Sequence, residues 1–474
     1  MINKELLHKI KKHPLIKTST AYIFTSFLIK GMSFITTPIF TRMMKIEDYG
    51  IISNFQTWLQ FFSIFIFLQV SSGLLPAKIN KELIRFNSYV KNVVIFGMTS
   101  AFIQITIFII FKEKIEKWIN IDSTLIPVLG LCAIGTAMSN IISAYYIAVE
   151  SPKKKIIFSV LSSIIFLGSG LGCVYFSRDK SLGRIVGYAI NNSIILLFGL
   201  FLFLKNKVVE KKEFMEDVKS GLKYGIPLIP HLIANVVNGS SDRIFLLKIC
   251  GESQVGIYSI AYAIGALTLT LVESSADAWN PWYFKQTLAK KNQKIKIPFK
   301  IYTLTIGMCF VGIMFLAPDI IKIMAPKEYW EGTRCILFVA LGVFFLFLYR
   351  FPLLYEQFLS TTKYVAPATI LTAIINIVLN TLLIPKYNIN GAAIATTLSY
   401  IVLWLTHEFV ARKIIKGYNI SKKNYIISVI IVIIGFILSN IVLEFSISRY
   451  IILVIFCIIY LIIIFKYIKV AKSK

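Results

Sequence analysis

Long apolar runs separated by short charged segments dominate this 474-residue chain. A helix needs about 20 mostly apolar residues to cross the hydrocarbon core of a bilayer. Because such runs recur along the whole sequence, the pattern predicts an all-α integral membrane protein with about 14 transmembrane helices. The predicted spans are 18–41, 50–76, 92–111, 125–149, 156–176, 184–204, 222–247, 255–283, 300–317, 335–360, 365–384, 391–411, 425–443 and 450–467.

The basic residues give these spans an orientation, since Lys and Arg concentrate in the cytoplasmic loops of membrane proteins. With the N-terminus in the cytoplasm, the predicted cytoplasmic segments and adjoining span ends hold 34 of the 51 Lys and Arg, the outer ones hold 14, and three lie in the interior of spans. This asymmetry predicts an even number of spans and cytoplasmic termini. The predicted loops are all short, so we expect no soluble catalytic domain.

Composition supports the same assignment. The chain is 57% hydrophobic and 16% charged, whereas soluble domains are about 45–50% apolar and about 25% charged. A net charge of +28 would suit a nucleic-acid partner, but the cations lie between apolar runs rather than on a polar fold. We therefore expect membrane lipid, and no nucleic acid, around the protein. The six cysteines form no CxxC or CxxH pair, and we expect no metal and no cofactor.

Two six-span blocks of the chain resemble each other weakly. The predicted organisation is an N-terminal lobe over 1–204, a cytoplasmic linker over 205–221, a C-terminal lobe over 222–417, and two further helices with a basic tail over 418–474. Because six is an even number, both lobes enter the membrane in the same sense. This is the arrangement of parallel transporter repeats.

The first and seventh predicted spans carry matching polar stripes, whose members are spaced 4, 3 and 4 residues apart and so share one helical face. One interpretation is hydrogen bonding between helices, which is common in membrane bundles. The repetition at a constant offset of 205 favours the other interpretation, a shared water-filled cavity. The stripes are Ser26, Lys30, Ser33 and Thr37, and His231, Asn235, Asn238 and Asp242.

Cations inside the spans are the candidate substrate ligands. A charge in the membrane is costly unless it meets water or a partner, so it marks a functional site. Arg supplies paired donors and Lys a point charge, which together suit a phosphate. Arg243 can alternatively cap a helix or pair with an acid on another helix, and we expect it to point away from the adjacent Asp242. The candidates are Lys30, Arg243 and Arg350, with Arg42 at an outer helix end.

Acidic residues in the spans are candidates for coupling to H⁺ or Na⁺, namely Asp242, Glu273, Asp277 and Glu356. Glu273 and Asp277 lie four residues apart on one helical face, where like charges repel. One interpretation is an ion-coupling site, and the other is a hydrated pair near the cytoplasmic end of the span. Glu356 is six residues from Arg350 and is a candidate partner for it.

No enzymatic motif accompanies these charges. The sequence contains no Gly-rich phosphate loop, no HExxH and no nucleophile elbow. We therefore expect a secondary transporter rather than an enzyme or an ATP-driven pump.

Several longer segments resemble Wzx-type polysaccharide flippases, and the similarity extends from about residue 15 to 415. The chain combines TRxxxxEDYG, PxxPH followed by SSDR, VGIYSIAY, AWNPWYF and IPKYxINGAAIAT. These motifs lie within 19–50, 225–247, 255–265, 278–284 and 379–396, and they include Arg42, Asp48, Tyr49, Gly50, Ser241, Asp242 and Arg243.

The resemblance implies two six-helix lobes around a cavity, followed by two extra helices. It also implies that an undecaprenyl-diphosphate-linked oligosaccharide, such as an O-antigen or capsule repeat unit, passes to the outer leaflet of the bacterial cytoplasmic membrane. An H⁺ or Na⁺ gradient would drive the transport, and other polysaccharide-export proteins would be partners.

Two alternatives on the same architecture stay open, a lipid II flippase and a drug or cation exporter. An exporter of cations would favour an acidic and aromatic cavity over a basic one. A membrane glycosyltransferase or polysaccharide polymerase would need a long outer loop, and the predicted loops are short.

Overall fold

The computed structural model describes residues 31–32, 34–79, 83–205, 211–289, 292–359, 364–415, 417–418, 420, 423 and 425–472. These residues are helical apart from short turns and contain no strand, which confirms the predicted all-α class. The chain divides into two compact units, Met1–Val236 and Val237–Lys474. The sequence-based lobe boundaries remain a prediction.

The first unit begins, in its described part, with helical residues 34–43. Further along, α6 packs along α7, α5 packs against α1 and α7, and α8 packs against α3. The helices are α1 Ile46–Ile66, α2 Leu74–Ile79, α3 Leu83–Ile110, α4 Lys112–Ile119, α5 Ile126–Ala148, α6 Pro152–Phe176, α7 Lys180–Leu204 and α8 Lys211–Gly225.

The division between the units falls within α9, Ile229–Cys250. In the second unit α13 packs along α14, and α12 packs against α15 and α16. The remaining helices are α10 Glu252–Gly265, α11 Thr268–Leu288, α12 Asn292–Met324, α13 Thr333–Phe358, α14 Val365–Phe409, α15 Ile426–Ile441 and α16 Ser446–Lys472, with a π-helical turn at Val410–Ile414.

Two spans that the sequence predicts as one helix each are interrupted, and the first of them is sharply bent. The predicted span 50–76 is divided between α1 and a second helical segment from Val70, and the two meet at a bend of 53°. Leu68 and Gln69 have positive φ values of 48° and 54° at the break, which a helix cannot contain. The predicted span 255–283 is interrupted between α10 and α11. Both breaks occur in apolar sequence, so hydropathy alone does not reveal them.

α14 is a helical hairpin rather than one 45-residue rod. Asn388 has non-helical dihedrals (φ 47°, ψ −129°). Asn376 Nδ2 donates to Ser399 Oγ at 3.2 Å, although 23 residues of straight helix would separate them by about 35 Å. A Cβ on Gly391 would lie 2.3 Å from the Leu383 carbonyl oxygen, so only glycine allows this close approach. The predicted spans 365–384 and 391–411 are therefore two helices that run in opposite directions.

The predicted linker 205–221 contains structure that the sequence did not suggest. Residues from Lys211 form α8, which packs on α3 and on the turn that begins at Val70. A Cβ on Gly225 would lie 2.4 Å from the carbonyl oxygen of Leu68. This helix is therefore fitted closely onto the break after α1.

With the α14 hairpin counted once, nine helical segments in the described residues are long and apolar enough to cross a membrane, or ten if the bent pair at α1 forms one span. The protein is thus a multi-pass membrane protein. α9 does not meet this test because of its polar residues, and α15 is a shorter apolar helix. The full number of 14 spans remains a prediction.

Candidate functional site

A polar cluster inside the second unit surrounds Asp242 of α9, whose exposed fraction is 1%. The hydroxyl of Tyr258 on α10 donates to Asp242 Oδ2. Thr396, on the second arm of the α14 hairpin, donates to the same oxygen at 3.4 Å. Because a carboxylate in an apolar interior is costly without partners, these contacts make Asp242 the centre of the cluster.

Arg243 pairs with its neighbour, which corrects the expectation that the two side chains point apart. Its Nη1 lies 3.4 Å from Asp242 Oδ1, and its backbone N–H donates to the same oxygen at 2.9 Å. The guanidinium lies 4.9 Å from the centre of the Tyr262 ring and donates to Ser259 Oγ at 3.3 Å. The long side chain of Arg243 reaches back along the helix toward Asp242, because a charge buried in apolar surroundings is much less costly when an opposite charge lies beside it.

Hydroxyl and amide groups extend the cluster from α9 to α14. Ser241 Oγ donates to Asn376 Oδ1 at 2.9 Å, and Asn380 Nδ2 donates to the same oxygen at 3.0 Å. Asn238 Nδ2 donates to the carbonyl oxygen of Thr369 at 3.4 Å. Within the described residues, Oδ1 of Asn380 and Oδ1 of Asn238 accept no hydrogen bond. These two buried amide oxygens of the cluster can therefore each still accept a hydrogen bond.

Sequence reasoning missed several members of this cluster. Asn376 and Asn380 are four residues apart on a predicted span, and this spacing on one face was the available signal. Tyr258, Tyr262 and Tyr400 lie in mostly apolar segments, so a hydropathy profile does not single them out. Tyr262 and Tyr400 meet through their hydroxyls at 3.4 Å.

The first unit contains a buried arginine of a different kind. Arg184 of α7 has an exposed fraction of 7%. Its guanidinium carbon lies 4.0 Å from the centre of the Phe40 ring and 4.7 Å from that of Phe166, and it also packs on Tyr188 at 5.1 Å. Tyr188 in turn accepts a hydrogen bond from the Gln56 amide. Among the described residues no carboxylate lies within ion-pair distance of Arg184, which is the first residue of the predicted span 184–204.

The other predicted ligands in the second unit are paired differently from the expectation. Arg350 Nη2 lies 3.7 Å from Glu273 Oε1, so its partner is Glu273 rather than Glu356. Glu356 instead meets His407, with Oε1 and Nδ1 2.9 Å apart and both side chains fully buried. For Asp277 only the helical backbone is described.

The remaining candidates belong to the sequence of the first unit. His231 and Asn235 contact each other at 3.1 Å on the exposed start of α9. Arg42 is exposed and donates to the Pro38 carbonyl oxygen at 2.9 Å, and Thr37 is half-buried. Ser26, Lys30 and Ser33 lie outside the described residues.

A family model described as polysaccharide biosynthesis protein matches residues 16–287, more than half of the chain. The chain belongs to this family. Its matched region contains α9 with Asp242 and Arg243, so the ion pair lies in the part of the chain that the family defines.

Curated relatives of this family member cover most of its length. The chain is 23% identical over 75% of its length to the Lsg locus putative protein 1 of Haemophilus influenzae, and it covers 91% of that protein. It is 21% identical over 83% of its length to the probable low-salt glycan biosynthesis flippase Agl15 of Haloferax volcanii, and it covers 82% of that protein.

Solved structures show that this family member shares the fold of known transporters. The lipid II flippase MurJ in an inward closed conformation matches with a TM-score of 0.67 at 15% identity, over 97% of this chain and 99% of that one. An inward-facing multidrug resistance transporter of the MATE family matches with a TM-score of 0.66 at 13% identity, over 82% and 93%. Agl15 is named as a probable flippase and not as an enzyme, which agrees with the expectation that the chain is not an enzyme.

Proposed function

We propose that the protein is a flippase that moves an undecaprenyl-diphosphate-linked oligosaccharide from the inner to the outer leaflet of the bacterial cytoplasmic membrane. It works by alternating access, with 14 transmembrane helices and cytoplasmic termini. Family membership, the glycan biosynthesis flippase among the relatives, and the shared fold support this proposal.

The main structural observation in support of this proposal is the buried Asp242–Arg243 ion pair. An ion pair inside a membrane protein adds little stability over apolar residues of the same size, so its presence favours a functional role. In our proposal Arg243 binds the diphosphate of the substrate together with Lys30 and Arg42, and Arg350 contacts the attached glycan. The guanidinium offers five N–H donors, and the contact with Asp242 occupies only part of them.

Asp242 is the proposed site of the coupling ion. Hard cations prefer oxygen ligands, and the hydroxyl oxygens of Tyr258 and Thr396 contact this carboxylate. A proton or Na⁺ on Asp242 would remove the charge that now neutralises Arg243. Ion occupancy would therefore change the positive charge that Arg243 presents to the diphosphate, which links the two binding events. Glu273, Asp277 and Glu356 are further candidates for this coupling.

The two halves of the sequence differ in charge in a way that agrees with this division of roles. The predicted spans between 18 and 204 contain no Asp or Glu, although they contain Lys30. Arg184 likewise has no carboxylate within ion-pair distance among the described residues. The second unit pairs Arg243 and Arg350 with acids. The acids that could hold a coupling cation therefore lie in the second half, whereas both halves supply cations for the anionic diphosphate.

Transport in proteoliposomes tests the proposal. The wild-type protein should move an undecaprenyl-diphosphate-linked oligosaccharide between leaflets, and the rate should depend on an H⁺ or Na⁺ gradient. We expect Arg243→Ala to abolish movement. Arg334→Ala, which removes an exposed arginine at the start of α13, should leave the rate unchanged. Equal rates in the two variants would contradict the proposed role of Arg243.

A measurement in cells separates the flippase from the exporter on the same fold. Deletion should abolish surface glycan and leave the lipid-linked precursor on the cytoplasmic face. Unchanged surface glycan together with raised resistance to cationic dyes on overexpression would support a drug exporter instead.

A further inference from the structure

A pocket of about 390 Å³ lies between α11 and α13 in the second unit. Its polar lining consists of Asn280, Tyr349, Arg350 and Gln357, and the rest is alanine and leucine. This volume falls at the lower end of the range for small-ligand sites, about 300–1,000 Å³. We propose that the pocket is a sugar subsite, which takes one pyranose ring of the lipid-linked glycan; this assignment rests on the proposed function.

The sequence builds this pocket from two helical faces. On α13, Leu346, Arg350, Leu353 and Gln357 recur at intervals of three or four residues and so follow one face. Ala276 and Asn280 are four residues apart on α11 and do the same. Two rigid helices therefore hold the lining groups, which is how a site recognises a ligand in one orientation.

The charge of the lining favours a neutral ligand over a phosphate. Arg350 is the one cation among the lining residues, and its Nη2 lies 3.7 Å from the carboxylate of Glu273. Because this acid offsets the charge of Arg350, the pocket lacks the excess of positive charge that binds a diphosphate. The diphosphate is therefore bound elsewhere, and the pocket takes an uncharged part of the same substrate.

The lining groups match the two kinds of surface on a sugar. A pyranose presents hydroxyls that both donate and accept hydrogen bonds around its rim. The amides of Asn280 and Gln357 each offer a donor pair and an acceptor, and the guanidinium of Arg350 offers further donors. The C–H faces of the ring are apolar and suit the Tyr349 ring and the leucines. Asn280 and Arg350 are half-buried and Gln357 is exposed, so a ligand can reach all three.

Binding of two defined lipids to the full-length protein in nanodiscs tests this assignment. The probes are undecaprenyl diphosphate and undecaprenyl diphosphate that carries one N-acetylglucosamine. The wild-type protein should bind the sugar-bearing lipid about tenfold more tightly. Asn280→Ala and Gln357→Ala should each reduce this preference for the sugar-bearing lipid by about threefold to tenfold, which is the contribution of one or two hydrogen bonds. Gln293→Ala, which removes an exposed amide at the start of α12, should preserve it.

Affinity for the bare lipid separates the possible outcomes. If both pocket variants bind undecaprenyl diphosphate as the wild type does, they are folded. Loss of the extra affinity for the sugar-bearing lipid in these variants then supports the subsite. The assignment of the subsite is wrong if the wild type binds the two lipids with equal affinity. It is also wrong if both pocket variants still bind the sugar-bearing lipid more tightly by the wild-type factor. Failure of the wild type to bind either lipid would contradict the proposed function itself.

Discussion

Arg85 of α3 and Asp217 of α8 form a bidentate ion pair, with Nη1–Oδ2 and Nη2–Oδ1 distances of 2.7 and 2.8 Å. The Asp217 side chain is 2% exposed and also accepts a hydrogen bond from Asn92 Nδ2 at 2.8 Å. The pair joins residues 132 positions apart and fixes α8, in the segment predicted as a linker, onto the first unit. α8 is therefore part of the folded unit and not a free tether.

We expect Asp217→Asn to lower the free energy of unfolding by about 1–3 kcal/mol, because a buried arginine contact and one charge are lost. Thermal unfolding in nanodiscs measures this loss. Glu213→Gln is the matched control, since Glu213 lies 3.9 Å from Arg85 and its side chain is 43% exposed. Exposed ion pairs contribute about 0–1 kcal/mol, so an equal loss in both variants would refute the special role of Asp217.

The Asp242–Arg243 pair predicts that stability and transport respond differently to substitution. Arg243→Gln leaves the buried Asp242 carboxylate without its cation and should destabilise the fold by about 3 kcal/mol. The double variant Asp242→Asn with Arg243→Gln removes both charges and should recover most of that loss without recovering transport. Unfolding temperature and flipping rate, measured on the same samples, distinguish these effects. A double variant that transports normally would show that the pair has only a structural role.

The α14 hairpin predicts a strong size limit at residue 391. Gly391→Ala places a Cβ 2.3 Å from the Leu383 carbonyl oxygen, and we expect it to cost about 1–3 kcal/mol through overpacking. Gly312→Ala in α12 is the control, because no atom lies within 4 Å of the added Cβ. There alanine should be neutral or stabilise the helix by about 0.5–1 kcal/mol. Similar unfolding temperatures for the two variants would contradict the tight turn.

Asp179 caps α7 and predicts a dependence on pH. Hydrogen bonds from the Leu182 backbone N–H and the Ser181 hydroxyl hold the pKa of Asp179 below its ordinary value. A lowered pKa stabilises the folded state above the ordinary carboxyl pKa of about 4, and this contribution is lost as the pH falls through the lowered value.

Removal of the Asp179 cap should cost about 1 kcal/mol at pH 7, the usual value of a helix cap. Asp179→Ala should show that loss, and the difference from wild type should shrink as the pH falls below about 4. Asp179→Asn retains a capping oxygen and should be close to wild type at pH 7. Unfolding curves between pH 3 and 7 measure both effects. A difference between Asp179→Ala and wild type that is constant over this range would contradict the assignment.

Hydropathy was sufficient to predict the helical class and the position of most helices, because long apolar runs leave a membrane chain few alternatives. It also predicted the turn between 384 and 391, where Pro385, Asn388 and Gly391 interrupt the apolar pattern. It failed at Leu68 and Gln69, where the backbone breaks within a sequence that is still largely apolar.

The candidate site was predicted only in part. Asp242 and Arg243 stand out because charges are rare in apolar spans, but their partners do not. Tyr258 and Thr396 reach Asp242 from helices that lie 16 and 154 residues away along the chain. A single sequence carries no information on such pairing. The same reason explains why Glu356 was assigned to Arg350 and not to His407.

Adjacent opposite charges also affect how the protein enters the membrane during synthesis. α9 contains Asp242 and Arg243 side by side, so this segment can leave the translocation machinery with its two central charges already neutralised. Glu356 and His407 lie 51 residues apart on α13 and α14. Glu356 therefore meets its partner only after the following segments have been made. The second unit thus contains one ion pair that is complete within a single helix and one buried Glu–His contact that forms only when α14 packs against α13.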